Sequence, residues 1–187
     1  MLLFRRIDDS RWFGRQYWES CSVTELNTKD NELSAWMDDR KVLDIDLALA
    51  YALTQGTIKE IWCVKIPKDR LDSCGIRLRQ ENSTTCYKRM QSFHTNMVVP
   101  TLLELGELAG IIYDLVQDPV ANCLFFTETD LKNHFYQMVK QDLIEIDFND
   151  KKNQQKWNLL RECEKTLGTI DFTQLKNAQP MVVKKKK

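Results

Sequence analysis

The segment 101–116, TLLELGELAGIIYDLV, constrains the fold more than any other stretch. Leu102, Leu105, Leu108, Ala109, Ile112, Leu115 and Val116 recur at helical spacing, so one side of a helix is apolar and needs another layer to cover it. Thr101 stands where an N-cap belongs and Glu104 follows three residues later, the spacing of a capping box. Asp118-Pro119 ends the pattern, because proline restricts the residue before it to extended backbone. Glu104, Glu107 and Asp114 interrupt the run, which predicts a covered helix rather than a membrane span. Gly106 and Gly110 lie four apart, a spacing that predicts close approach of another helix or a strand to that side. Each glycine costs up to about 1 kcal/mol of helix propensity.

Other segments supply the layer this helix needs. EIWCVKI (60–66) is rich in β-branched and aromatic residues and is stopped by Pro67, which predicts a strand. LLFRRI (2–7), ELSAWM (32–37) and GIRLRQ (75–80) predict further short strands, 81–92 a loop, and LIEIDFND (143–150) one more short strand. DIDLALAYAL (44–53) starts acidic, is built of good helix formers and ends near Gly56, the pattern of a buried helix. Thr127 or Thr129 is expected to cap a helix running to about Asp142, with Leu131, Phe135, Met138 and Val139 as its apolar stripe. The stretch 151–168 predicts an amphipathic helix with Trp157, Leu160, Cys163, Glu164 and Leu167 along one face and Gly168 as its stop. The expected fold is α+β: a small mixed sheet packed by the 44–53 and 101–116 helices, with a mainly helical C-terminal part. The natural seam is Asp118-Pro119, giving an α+β core domain over 1–117, a helical region over 118–180 and a disordered basic tail over 181–187.

Charge narrows the partners. The chain carries 27 basic and 27 acidic residues, but Lys184–Lys187 hold four of the positive charges, leaving 23 against 27 in the rest. A mildly acidic body argues against a broad nucleic-acid surface. The six cysteines, at 21, 63, 74, 86, 123 and 163, include no CxxC pair, so no structural zinc site is expected. Charges at residues 5, 6, 8 and 9 leave no apolar signal core at the start, and the expected location is cytoplasmic, with the cysteines reduced and no membrane partner.

Catalytic signatures are absent. The six scattered glycines form neither GxGxxG nor GxxxxGK[ST]. The two histidines are His94, expected in the loop that leads to the 101–116 helix, and His134, expected half-exposed on its helix. Glu145 and Asp147 share a face of a possible strand, which more often marks a solvated face than a Mg²⁺ site. The densest functional signal is the N-terminal mixture of Arg11, Trp12, Phe13, Arg15, Tyr17 and Trp18, residue types that anchor protein interfaces. Arginines interleaved with aromatics also grip nucleic acid, but Asp8, Asp9 and Glu19 dilute the charge.

The order of elements is suggestive as well. An early strand with Arg5 and Arg6, a second with Ser34, the helix LALAYAL and then IWCVKIPKDRL resemble the layout of small ADP-ribosyltransferase-like and RES-type toxin domains over about half the chain. The resemblance implies that Arg5 or Arg6 and Ser34 grip NAD and that a later glutamate serves catalysis; no QxE motif follows. The leading expectation is an accessory protein that binds a protein partner, with no cofactor and no catalysis of its own. An NAD-using transferase is the alternative, and nucleic-acid binding the third.

Overall fold

In a computed structural model the described residues are 1–14, 26, 30–38, 42–55, 58–83, 85–144, 146, 158, 160, 161, 163 and 165. Leu2–Ile7 (β1) lies near the middle of a six-stranded sheet. It is flanked by Glu32–Asp38 (β2) and Ile61–Pro67 (β3), with Arg77–Gln80 (β4), His94–Val98 (β5) and Cys123–Phe126 (β6) completing the order β4-β5-β2-β1-β3-β6. The α+β class is as expected. The sheet, expected as mixed, is antiparallel in every pairing.

Both faces are covered, so alternate residues of the inner strands feed two cores. Phe4, Trp36, Ile61 and Cys63 face a layer made by Asp44–Gln55 (α2), Glu128–Lys140 (α6), a 3-10 turn at Lys88–Phe93, and the helical residues Leu160 and Cys163. Leu3, Ile7, Ala35, Val64, Ile66 and Met97 face the other layer, built chiefly by Leu102–Val116 (α4). Asp9–Trp12 (α1) and Lys68–Ser73 (α3) add Trp12 and Leu71 to it, both fully buried.

The end signals act as chemistry dictates. Thr101 and Glu104 form a complete capping box on α4, and Thr127 and Asp130 form another on α6. Helix α4 packs on β3, with Leu108 and Ile112 fully buried and Leu105 half-buried. Helix α3 ends in a Schellman motif: Ile76 N–H donates to Leu71 O at 3.0 Å and Gly75 N–H to Asp72 O at 3.1 Å, with Gly75 at φ 73°.

Several expectations change. The 101–116 glycines admit no close neighbour: a Cβ at Gly106 or Gly110 meets nothing within 4 Å. They lie off the packed stripe, so the small-xxx-small spacing has no packing role here. His94 opens strand β5 instead of sitting in a loop. β5 and β6 were not legible because each is short, and β5 carries buried Thr95 and Asn96 where a core strand normally has apolar side chains. β6 pairs with β3, so the expected boundary between 1–117 and 118–180 falls inside one sheet. A short helix, Pro119–Asn122 (α5), fills the turn between α4 and β6. Of the 143–150 stretch, Ile144 makes a single bridge to Tyr87; Glu145, Asp147, Trp157, Glu164, Leu167 and the tail lie outside the described residues.

Two substitutions on α4 separate its faces. Ile112→Ala should destabilise the fold by about 2–5 kcal/mol, as buried large-to-small changes do. Gly106→Ala should stabilise it by about 0.5–1 kcal/mol, since the methyl enters open space and the helix gains propensity. Urea unfolding of both variants checks the signs.

Candidate functional site

Adjacent residues of a strand point to opposite faces, so β1 sends Arg5 and Arg6 to different layers. Arg5 lies on the α4 side, 8% exposed, and its Nη1 donates to Ser34 O at 2.8 Å. Arg6 lies on the α2 side and is exposed, as is Ser34. That exposure is unusual, because β1 and β2 are the two innermost strands. The helix layer on this face leaves a window over the middle of the sheet.

The register shows what the window holds. Arg6 pairs with Cys63, Ser34 with Asn96, and Asn96 with Arg79. Continuing the β1–β2 register two residues past Phe4↔Trp36 sets Arg6 opposite Ser34. One cross-strand row is therefore Arg6, Ser34, Asn96 and Arg79. The next row on the same face is Phe4, Trp36 and His94. A polar row thus runs beside an aromatic one, where an ordinary core face would be apolar throughout.

Over these rows lies a hollow of about 540 Å³, floored by Ser34, Trp36, His94 and Asn96 and walled by Tyr51 of α2 and by Glu81. The His94 ring stands edge-on to buried Trp36, with centroids 5.3 Å apart. His94 Nδ1 lies 3.1 Å from Glu81 O. A carbonyl only accepts, so Nδ1 donates in this contact and Nε2 is left for a ligand. Asn96 Nδ2 donates to Glu32 and Glu81 carboxylates at 2.8 and 2.9 Å. Arg79 pairs with the same two carboxylates. Among the described residues the Asn96 amide oxygen and the Ser34 hydroxyl make no hydrogen bond, which leaves an acceptor and a donor-acceptor facing the hollow.

Tyr51 and Gln55 also line a second, adjoining hollow of about 230 Å³, together with Arg6, Lys59 and Glu60. The Arg6 guanidinium lies over the Tyr51 ring, 5.9 Å from its centroid. Cys63, the cross-strand neighbour of Arg6, is no nucleophile. Burial pushes its thiol up to about 12, a rise the Arg6 charge only partly offsets.

A second polar cluster lies inside the α2 layer. Asp46, 1% exposed, accepts from Tyr87 Oη at 2.6 Å and Leu43 N–H at 3.1 Å, and meets His134 Nε2 at 2.6 Å. Burial pushes the Asp46 carboxyl up, but the hydrogen bonds from His134, Tyr87 and the Leu43 backbone outweigh it and hold the pKa below the ordinary value. Burial, and then the same contact, raise that of the Tyr87 phenol. With Asp46 and Tyr87 buried, this is a strap joining α2, α6 and the 3-10 turn, not a reaction centre.

Of the residues singled out in the sequence, the window brings together Arg6, Ser34 and His94 and excludes Arg5. Trp12 is core, with 0% exposure, so it presents no surface to a partner. Arg11 pairs with Asp8 at 3.5 Å, and Phe13 stacks edge-on against Trp62 at 4.9 Å. Arg15, Tyr17 and Trp18 lie outside the described residues. Sequence reasoning missed Tyr51, Lys59, Glu81 and Asn96. An asparagine in a strand was the one available signal, since that residue is depleted there. No family model, no curated protein and no solved structure matches this chain. Among the described residues no helix is long and apolar enough to cross a membrane.

Removing the strap has a pH signature. Asp46→Ala should cost about 3–5 kcal/mol near neutral pH, because it strands buried partners of a carboxylate. A depressed folded-state pKa stabilises above the unfolded carboxylate value, about 4, and that contribution is lost as pH falls through the folded value. The gap between wild type and Asp46→Ala should therefore narrow below about pH 4 in denaturant titrations.

Proposed function

We propose that the chain is a small-molecule-binding domain whose larger hollow takes a nucleoside. The observation that carries this is the uncovered window on the two innermost strands, where a polar row adjoins an aromatic one. A hollow of about 540 Å³ is of the size that small-molecule sites have. Tyr51 and His94 offer ring surfaces for a flat base, with Trp36 fixing the His94 ring from behind. The Asn96 amide oxygen suits an exocyclic amine, and the Ser34 hydroxyl suits a sugar hydroxyl. This ligand class agrees with the NAD-using alternative, for which Arg6, Ser34 and the carboxylate of Glu81 share one face. Glu81 is engaged by Asn96 and Arg79, so binding is the part of that alternative the geometry favours.

A second reading keeps the protein partner. Phe13, Trp62 and Phe125 form an aromatic ladder, with 4.9 and 4.7 Å between successive rings, ending at the sheet edge on β6. Phe125 is 43% exposed there. An interface at this ladder is compatible with a ligand in the window, since Trp62 and Ser34 face opposite sides of the sheet.

Isothermal titration calorimetry with adenosine, guanosine, cytidine and uridine tests the first reading. At least one should bind with a dissociation constant of about 1 mM or tighter. Ser34→Phe should abolish that binding, because the ring fills the hollow from its floor, while the melting temperature stays within a few degrees. Absence of binding by all four at millimolar concentration refutes the proposal.

A further inference from the structure

The two hollows are walled by the same two residues of α2, Tyr51 and Gln55, yet their linings differ in charge. The larger holds rings, amides, hydroxyls and the Glu81 carboxylate, and no cation. The smaller holds two cations, Arg6 and Lys59, against one carboxylate, Glu60. Neither Arg6 nor Lys59 makes an ion pair among the described residues, whereas Arg79, in the same cross-strand row as Arg6, is satisfied by Glu32 and Glu81. Arg6 is also pre-oriented, its guanidinium held over the Tyr51 ring, so little side-chain freedom remains to be lost on meeting an anion. Gln55 ends α2, and the negative end of that helix dipole acts against an anion, but only locally and with solvent screening. Two charge-assisted contacts exceed that opposition.

We propose that the smaller hollow is a phosphate subsite. Resting on the nucleoside reading, this makes the ligand a nucleoside 5′-phosphate: the base and sugar lie over Ser34 and Asn96, and the phosphate chain passes Tyr51 to reach Arg6 and Lys59. Arg6 matches two phosphate oxygens with its planar fork, and Lys59 adds a point charge from the loop before β3. Glu60, in the same lining, opposes an anion, and the two cations outnumber it.

The test is calorimetry on the full chain with the four ribonucleosides, their 5′-mono- and diphosphates, and inorganic pyrophosphate. Phosphorylation should tighten binding about ten-fold or more over the parent nucleoside, and the gain should shrink as salt rises. Arg6→Gln and Lys59→Ala should each remove most of the gain, and Lys59→Ala, which touches only the smaller hollow, should leave nucleoside affinity unchanged. Both residues are exposed, and melting curves verify that the variants fold. Nucleoside binding with no gain from phosphate, or a gain that survives both substitutions, overturns the subsite and leaves the nucleoside reading standing. Pyrophosphate binding that depends on Arg6 and Lys59, with no nucleoside bound, keeps the subsite and refutes the nucleoside. Nucleotide binding that Ser34→Phe, Arg6→Gln and Lys59→Ala all leave intact places the ligand elsewhere and refutes both.

Discussion

The pairing of β1 on both of its edges is the constraint on which the rest depends. All six residues of Leu2–Ile7 pair with β3 on one side, and Leu2–Phe4 pair with β2 on the other. A strand in that position has no solvent edge, so both of its faces call for helices. Leu3 and Ile7 then require the α4 layer, and Phe4 requires the α2 layer. Arg5 is tolerated inside because its guanidinium reaches a backbone carbonyl on β2. Arg6 is tolerated because the α2 layer stops short of it. The window is thus set by the one residue of β1 that cannot be buried in an apolar layer.

The α2 layer holds its position through a buried charge rather than apolar packing alone. Helix α2 is almost wholly apolar along its length, which gives it little preference for one rotation about its axis over another. Asp46 removes that ambiguity. Its carboxylate meets groups from α6 and from the 3-10 turn at fixed distances, so the helix settles with Tyr51 overhanging the sheet. A buried polar group costs desolvation and contributes specificity of arrangement, and here the arrangement is that of the wall of the hollow.

What the sequence revealed follows the range of the interactions involved. The capping boxes at Thr101 and Thr127 span three residues each and were readable directly, as were α2, α4 and the apolar strand β3. The β5 and β6 strands were not, because β5 carries polar residues at core positions and β6 is only four residues long. The same holds for the site. Arg6, Ser34 and His94 attracted notice by type, but that Arg6 and not Arg5 belongs with Ser34 follows only from register. Asn96 stands opposite Ser34 across 62 positions of chain, a juxtaposition no local spacing encodes. Trp12 misled for a related reason: Arg and Trp in one short stretch describe an interface and a core equally well, and burial decides.

The order in which the sheet closes bears on how the chain is made. During vectorial synthesis β1 emerges first, but its neighbours follow about 30 and about 60 residues later, at speeds of roughly 5–20 residues per second. β3 in turn keeps an open, apolar edge until β6 arrives at Cys123–Phe126. For several seconds the nascent chain therefore displays a strand rich in Ile, Trp and Val with nothing along its outer side. Such an edge is a template for unwanted pairing between chains. A truncation ending before β6 would make that transient condition permanent, and the expected product is an aggregate rather than a smaller folded unit.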